Sequence, residues 1–351
     1  MRKFIGCILF FFFSFGLSAQ TAAPFAVYLV GDAGEDTIPG KALLLLKDEL
    51  LAHPYSAVIF LGDNVYPSGL KKGDRLSALR LNSQLQLLNE YKGKVYFIPG
   101  NHDWNAQKRT GRQVLKNQEE YVNDYIKNKT SAANKDAAVF LPKDGLPGPE
   151  TVMLKEKLRL IIIDTQWFLQ FYAKNKIVTN KNTKKIFYKR LDSLLAYASI
   201  NNEQVIIAAH HPIFTNGQHG RRKQPLRFIV NRSPFQLFGL LGVNRLYSQD
   251  IAQPRYKKMR KHLLDILNRY DNIMFASGHD HNLQCFKEGK NNYIVSGSGS
   301  KTSHLLRFGM FKSVFQDDSK TGFIKVVYHD DGNKSTIIFR DGEQEKVLPG
   351  Y

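Results

Sequence analysis

Cysteine is scarce in this sequence, since only Cys7 and Cys285 occur among 351 residues. Two thiols cannot build a disulfide scaffold, a cysteine-rich zinc module or an iron–sulfur cluster. Acidic residues are also few, with 31 Asp and Glu against 50 Lys and Arg, and the formal net charge is +19. Any metal site must therefore depend on His, Asp, Asn or Tyr, and the basic excess favours anionic substrates or surfaces.

A long apolar run is also missing. The most apolar segment, residues 4–13, is shorter than the ~20 residues that span a bilayer. Arg2 and Lys3 precede this segment, and Leu17-Ser18-Ala19 offers a cleavage site that ends in two small residues. We expect residues 1–19 to be a signal peptide that is removed, and the mature protein to be secreted into a periplasmic or extracellular compartment.

Strands and helices alternate in the first third of the remaining chain. The apolar pattern predicts strands at 25–30, 57–61 and 95–98 and helices at 40–51 and 76–91. A βαβαβ unit of this kind forms a parallel sheet with right-handed crossovers. Its ligand sites lie beyond the carboxyl ends of the strands, so the residues that follow each strand are the ones to inspect.

The alternation returns further along the chain. The pattern predicts strands at 158–163, 204–209 and 272–276 and a helix at 183–198. Short strands with turn signals then follow over 293–348, and we interpret them as a β meander at the edge of a second sheet. Residues 215–254 form an irregular insertion. The whole pattern predicts an α/β protein with a single domain over residues 20–351.

Polar residues with metal-binding side chains follow the predicted strands. They are Asp32, Asp63, Asn101, His210, His279 and His281. Each of them alone is explained by a helix cap or a core histidine, but together they indicate one crevice at the strand ends. Six mixed nitrogen and oxygen donors suit two ions and favour Fe, Zn or Mn over Ca. Two such ions can bind a phosphate ester and activate water.

These motifs resemble the five sequence blocks of the calcineurin-like metallophosphoesterases over residues 25–300. The blocks are Gly31-Asp32, Gly62-Asp63-Asn64, Gly100-Asn101-His102-Asp103, the His210 loop and Gly278-His279-Asp280-His281. The resemblance implies a four-layer α/β/β/α sandwich of two mixed sheets around the βαβαβ core. Many members carry a metal-binding His where this chain has Gly34. Tyr66 lies where purple acid phosphatases place a tyrosinate on ferric iron, and the mammalian-type, tartrate-resistant branch is the most similar.

The resemblance also implies a role for each residue. Asp32, Tyr66 and His281 would bind Fe(III). Asn101, His210 and His279 would bind Fe(II), Zn(II) or Mn(II), and Asp63 would bridge the two ions. His102 and His219 would face the phosphate and the leaving group without binding metal, because an imidazole can protonate a departing alkoxide. We expect His211 to support a ligand or contact solvent.

These roles describe a secreted phosphatase that hydrolyses phosphate monoesters by attack of a metal-bound hydroxide. Its substrate would be a small phosphorylated molecule or a phosphoprotein. Two alternatives stay open: a phosphodiesterase or nucleotidase on the same metals, and a basic surface-binding protein that retains the fold. The basic residues around the insertion suit a phosphorylated substrate or an anionic membrane surface. We expect no specific nucleic-acid partner, because no binding module accompanies the charge.

Overall fold

Two β-sheets packed face to face, with helices on their outer surfaces, form the described part of the protein. The computed structural model describes residues 24–170, 181–220 and 250–351, apart from Phe308 and Asp330. The expected signal peptide at 1–19 and most of the expected insertion at 215–254 lie outside the described residues. Within the described ranges, no helix has the length and apolar character needed to cross a bilayer.

Strands are numbered in chain order. They are β1 (Phe25–Val30), β2 (Ser56–Phe60), β3 (Lys94–Phe97), β4 (Glu150–Lys155), β5 (Leu158–Ile162), β6 (Gln204–Ala208), β7 (Ile273–Ser277), β8 (Leu283–Glu288), β9 (Asn291–Ser296), β10 (Ser313–Asp317), β11 (Gly322–Tyr328), β12 (Lys334–Arg340) and β13 (Lys346–Pro349). The first sheet has the order β13-β12-β11-β1-β2-β3, and the second has the order β10-β8-β9-β7-β6-β5-β4. Both are mixed, with parallel centres at β1-β2-β3 and β5-β6-β7-β9.

Helices cover the outer face of each sheet. They are α1 (Lys41–Ala52), α2 (Arg75–Leu85), α3 (Gly111–Lys129), α4 (Gln166–Leu169), α5 (Lys181–Ile200) and α6 (Pro254–Leu267), with single 3₁₀ turns at Gln86–Leu88, Asn105–Gln107, Lys143–Gly145 and Gln218–Gly220. α1 buries Leu43, Leu46 and Leu50 at helical spacing. These residues and the apolar face of α5 belong to the cluster that packs against the outward side chains of the strands.

The inward side chains of the two sheets form a second apolar cluster. Val27 and Leu29 of the first sheet are buried in the same cluster as Ile206 and Ala208 of the second. Successive side chains of a strand point to opposite faces, so one strand serves both clusters. The result is the expected four-layer α/β/β/α arrangement.

The strand tips of the site belong to both sheets, because β1-β2-β3 and β5-β6-β7 lie in separate sheets, as expected of a sandwich of two mixed sheets. One prediction about the sheets differs from the structure. The meander was expected at the edge of a second sheet, but β11, β12 and β13 join the first sheet, where β11 pairs with β1 from Phe25↔Tyr328 onward. This pairing satisfies the backbone groups that β1 would otherwise expose at a sheet edge.

One long helix was missed. α3 spans Gly111–Lys129 and buries Val114, Leu115, Val122 and Ile126. The spacing of these residues is helical, but polar residues fill the rest of the segment and dilute the apolar pattern.

Candidate metal centre

The predicted metal-binding residues come together where the two sheets meet. Asp32, Asp63 and Asn101 follow the carboxyl ends of β1, β2 and β3 in the first sheet, and His210 and His279 follow β6 and β7 in the second. All five side chains are buried. The centre therefore lies between the sheets, with each sheet contributing part of the donor set.

The backbone at these strand ends is strained. Asp32, Asp63 and His279 have φ values of 57°, 55° and 72°, in a region that residues other than glycine rarely adopt. Such strain persists only where the surrounding structure enforces it, and it is commonly found at functional sites. A Cβ at Gly100 would collide with the Asp63 carboxylate, and one at Gly278 would lie 2.5 Å from Asp32 Oδ2. The motif glycines thus allow the backbone to approach the carboxylates.

One group of donors surrounds Asn101. Its Oδ1 lies 3.0 Å from His210 Nε2 and 3.0 Å from His279 Nδ1. Asp63 Oδ2 lies 3.5 Å from His210 Nε2. The structure therefore brings together the three residues assigned to the divalent ion and the carboxylate assigned to the bridge.

A second group surrounds Tyr66. Its hydroxyl donates to Asp32 Oδ1 at 2.9 Å and lies 3.1 Å from His281 Nε2, and His281 Nε2 lies 3.5 Å from Asp32 Oδ1. The structure thus joins the three residues assigned to ferric iron. Ligand atoms of Asp32, Asp63 and His210 all lie within 4.8 Å of one another, so the two groups are adjacent.

The electrostatics of these groups suit metal cations. Burial by itself lowers the pKa of His210, but the carboxylates of Asp63 and Asp32 raise it to about 10. Burial raises the pKa of Asp63, but the His210 and His102 rings more than offset this effect and hold the pKa below its ordinary value. The buried carboxylates therefore need a neighbouring positive charge. A metal ion supplies that charge while the imidazoles bind it in their neutral form, so the donor set fits.

The two histidines assigned to proton transfer lie beside the donors. His102 Nδ1 contacts the Pro67 carbonyl at 2.6 Å, and its Nε2 lies 3.9 Å from Asp63 Oδ2. The His219 ring stacks on the His279 ring with centroids 4.1 Å apart. Burial lowers the pKa of His219, but the 2.9 Å contact with Asp250 and the charges of Asp280 and Asp32 together outweigh burial and raise it.

His211 has two features. Its Nδ1 contacts Thr165 Oγ1 at 2.9 Å, and its ring lies 4.4 Å from the His279 ring. Its ring nitrogens also fall within the set formed with His210 and His279 that could hold a metal ion. The Thr165 contact accords with the expected supporting role, which stays a prediction.

Several residues near the centre were missed because they have no recognisable sequence pattern. Lys301 Nζ lies 3.4 Å from the centroid of the Tyr66 ring and 2.8 Å from Glu35 Oε2. The hydrogen bond from Lys301 lowers the pKa of Glu35. Sequence separation hides this contact, since Lys301 and Tyr66 belong to distant parts of the chain.

Two aspartates within the recognised motifs support the loops. Asp103 accepts hydrogen bonds from the backbone amides of Asn64, Val65 and Gly100, which ties the ends of β2 and β3 together. Asp280 accepts from Thr215 Oγ1 at 2.6 Å and from the His219 amide at 3.1 Å. Each of these aspartates directly follows a predicted site histidine in the sequence. Their carboxylates accept hydrogen bonds from the surrounding loops and hold those loops in place.

Comparison with known proteins identifies the family. The model of the calcineurin-like phosphoesterases matches residues 27–283, so the chain belongs to that family. No curated protein sequence matches the chain. The fold and donor set define a dimetal metallophosphoesterase, which is a phosphoester hydrolase.

Solved structures share the fold at low sequence identity. One is "GAP50 the anchor in the inner membrane complex of Plasmodium", with a TM-score of 0.57, 19% identity, and coverage of 93% of this chain and 89% of that one. A dimetal phosphatase from Danio rerio has a TM-score of 0.53, 13% identity, and coverage of 94% and 100%. The purple acid phosphatase PPD1 from yellow lupin (Lupinus luteus) has a TM-score of 0.52, 15% identity, and coverage of 93% and 54%.

Proposed function

We propose that the protein is a phosphatase of the purple acid phosphatase type that hydrolyses phosphate monoesters. The observation that carries this proposal is the position of Tyr66, whose hydroxyl contacts both Asp32 and His281. A Cβ at residue 34 would collide with the backbone of Asn64 and Val65. This backbone therefore has no room for the histidine that many family members carry there, and the Tyr66 hydroxyl is available as the replacement donor.

The proposed metals are Fe(III) on the Asp32 side and Fe(II), Zn(II) or Mn(II) on the Asn101 side. When bound, such a pair polarises the phosphate ester and supplies the nucleophile at neutral pH. The chain's own contribution is to hold the donors in place. Asp63 lies between the two groups, and its Oδ1 accepts from the backbone amide of His102 at 2.8 Å, which fixes the orientation of the proposed bridging carboxylate.

Proton transfer is assigned to His219 and His102. The contact between His219 Nδ1 and Asp250 orients the ring and favours its protonated form, so His219 is suited to protonate a leaving group. His102 is anchored through Nδ1 by the Pro67 carbonyl, which leaves Nε2 directed toward Asp63. A phosphate held near Asp63 would lie within reach of this nitrogen.

A competing function from a different class is binding without catalysis. The structure of GAP50 bears the description of an anchor, so the shared fold alone does not establish hydrolysis. This chain, however, retains every donor position named above, and the donors converge. We propose hydrolysis for that reason, and we propose secretion on the strength of residues 1–19.

Metal analysis combined with a hydrolysis assay tests the proposal. We expect about two transition-metal ions per chain and turnover of an aryl phosphate monoester. A bis-aryl phosphate diester and a nucleoside monophosphate tested in parallel distinguish the phosphodiesterase and nucleotidase alternatives. Fewer than about one ion per chain together with no hydrolysis would refute the enzyme assignment in favour of a binding protein.

Three variants separate ligands from proton donors. Asp63→Ala should lose metal and activity together, because the carboxylate belongs to the donor set. His102→Ala and His219→Ala should keep the metals and lose ~10²-fold or more in kcat, because each removes general acid catalysis or phosphate positioning. Loss of the metals in His102→Ala would show that this residue is a ligand.

A further inference from the structure

A basic groove lies between α5 and α6 on the outer face of the second sheet. It encloses a cavity of about 710 Å³. We call it the lysine groove, defined by Lys184, Lys185 and Lys189 of α5 and Lys258 of α6. Its lining includes none of the residues assigned to the metal centre, so it is a separate site.

The lysines of the groove lack acidic partners. The two aspartates of the lining are already paired, Asp192 with Arg269 at 2.9 Å and Asp265 with Lys261 at 2.6 Å. Among the described residues, no carboxylate lies within 4.0 Å of any of the four groove lysines. The positive charge is therefore not neutralised by the described protein.

The two undescribed segments that precede α5 and α6 in the sequence contain no acids. Residues 171–180 and 221–249 contain no Asp or Glu, whereas they contain eight Lys and Arg. Burial together with the charges of Arg255 and Lys258 lowers the pKa of Lys184, which accords with an excess of positive charge.

The groove also has an apolar component. Its lining includes Phe168, Met259 and Ile266, and Met259 and Phe168 are buried members of the core. On α5, the side chain of Ile186 is 64% exposed beside Lys185. A free phosphate or a nucleic-acid backbone would use the lysines but not the apolar surface. An acidic phospholipid uses both, because its headgroup is anionic and its interior is apolar.

We propose that the lysine groove docks the protein on bilayers that contain acidic phospholipids. The lysines would contact the headgroups, and the exposed Ile186 would contact the interfacial region. The charge complementarity is specific to an anionic surface, since a neutral bilayer offers nothing to the lysines. This inference concerns where the protein is held and does not depend on the proposed hydrolysis.

Vesicle cosedimentation tests the proposal. The mature protein should sediment with phosphatidylcholine vesicles containing about 30% phosphatidylserine and remain in solution with phosphatidylcholine alone. The variant Lys185→Gln/Lys189→Gln/Lys258→Gln changes only exposed side chains. Each cation near an anionic surface contributes about a factor of five in affinity, so removing three should weaken binding roughly 100-fold.

A matched variant controls for net charge. Lys47→Gln/Lys92→Gln/Lys127→Gln also removes three exposed lysines, but these are located in or next to α1, β3 and α3. It should bind anionic vesicles within about threefold of the unaltered protein. Ile186→Ser should weaken binding at constant charge. Metal content and aryl phosphate turnover should be unchanged in all three variants, so a failure here is distinguishable from a failure of the proposed function.

Three outcomes would overturn the proposal. The first is equal binding of the two lysine variants to anionic vesicles, which would show that vesicle binding depends only on the net charge of the protein. The second is equal binding to neutral and anionic vesicles. The third is that the protein does not bind vesicles but binds a fluorescent phosphopeptide, and that the groove variant no longer binds this peptide. That result would make the groove a protein-binding site.

Discussion

Asp164 allows a sharp test of how burial controls charge in this fold. It follows β5, is fully buried, and accepts hydrogen bonds from Trp104 Nε1 at 2.8 Å and from the backbone amide of Trp167 at 3.1 Å. Burial raises the pKa of Asp164 from 3.8 to about 7. The variant to test is Asp164→Asn, because asparagine has nearly the same shape as aspartate but no ionisable carboxyl group.

The sign follows from proton linkage. The pKa of Asp164 is higher in the folded protein, so between pH 4 and pH 7 the folded state keeps a proton that the unfolded chain has lost. The wild-type free energy of unfolding therefore falls as the pH rises through that window. A shift of about three pKa units at 1.36 kcal/mol each gives a decrease of up to about 4 kcal/mol. Asp164→Asn removes this decrease.

The assay is urea unfolding followed by tryptophan fluorescence at several pH values between about 4 and 8. The measured quantity is the free energy of unfolding of Asp164→Asn minus that of the wild type. We expect this difference to increase with pH by up to about 4 kcal/mol, whatever its value at low pH. Asp124→Asn at an exposed position of α3 is measured in parallel as a control for the Asp-to-Asn exchange. A difference for Asp164→Asn that stays constant within about 1 kcal/mol would refute the reasoning.

Two further predictions concern the metal centre. Tyr66→Phe should abolish the visible charge-transfer band expected of a ferric phenolate, because it removes the hydroxyl that contacts Asp32 and His281. Absorption spectra of the iron-loaded protein test this prediction. A mutant that keeps the band would show that Tyr66 is not a ligand. Gly34→Ala should lower the free energy of unfolding by about 1–3 kcal/mol, because its Cβ would collide with the backbone of Asn64. Urea unfolding measures this effect, and an unchanged midpoint would show that the loop can relax.

The strand ends were the part of the structure most accessible from sequence. Four of the five tips combine a short apolar run with a glycine and a polar residue, and the fifth ends in His210 without a glycine, so strand and site are predicted by nearly the same local pattern. β1 at Phe25–Val30 has the predicted bounds, and Asp32, Asp63 and His279 follow the ends of β1, β2 and β7. The pattern is local, so a single sequence is enough to recognise it.

The pairing of the strands was not accessible in the same way. The sequence of β11 does not specify that it pairs with β1, which lies nearly 300 residues away. A strand of this kind can pair with any open sheet edge. Contacts such as that of Lys301 with Tyr66 follow from this pairing, so they became visible only with the fold.

The centre also acts as a link between the two sheets. The end of β9 in the second sheet and the loop after it bind the loop that follows β1 of the first sheet. The Gly31 amide donates to the Ser296 carbonyl at 2.7 Å, and the Gly299 amide donates to the Gly31 carbonyl at 3.0 Å. The donor groups cross the same junction, because Asn101 comes from one sheet and His210 from the other. A ligand that binds only the folded arrangement stabilises it by mass action. Metal binding should therefore stabilise the packing of the sheets as well as supply the chemistry.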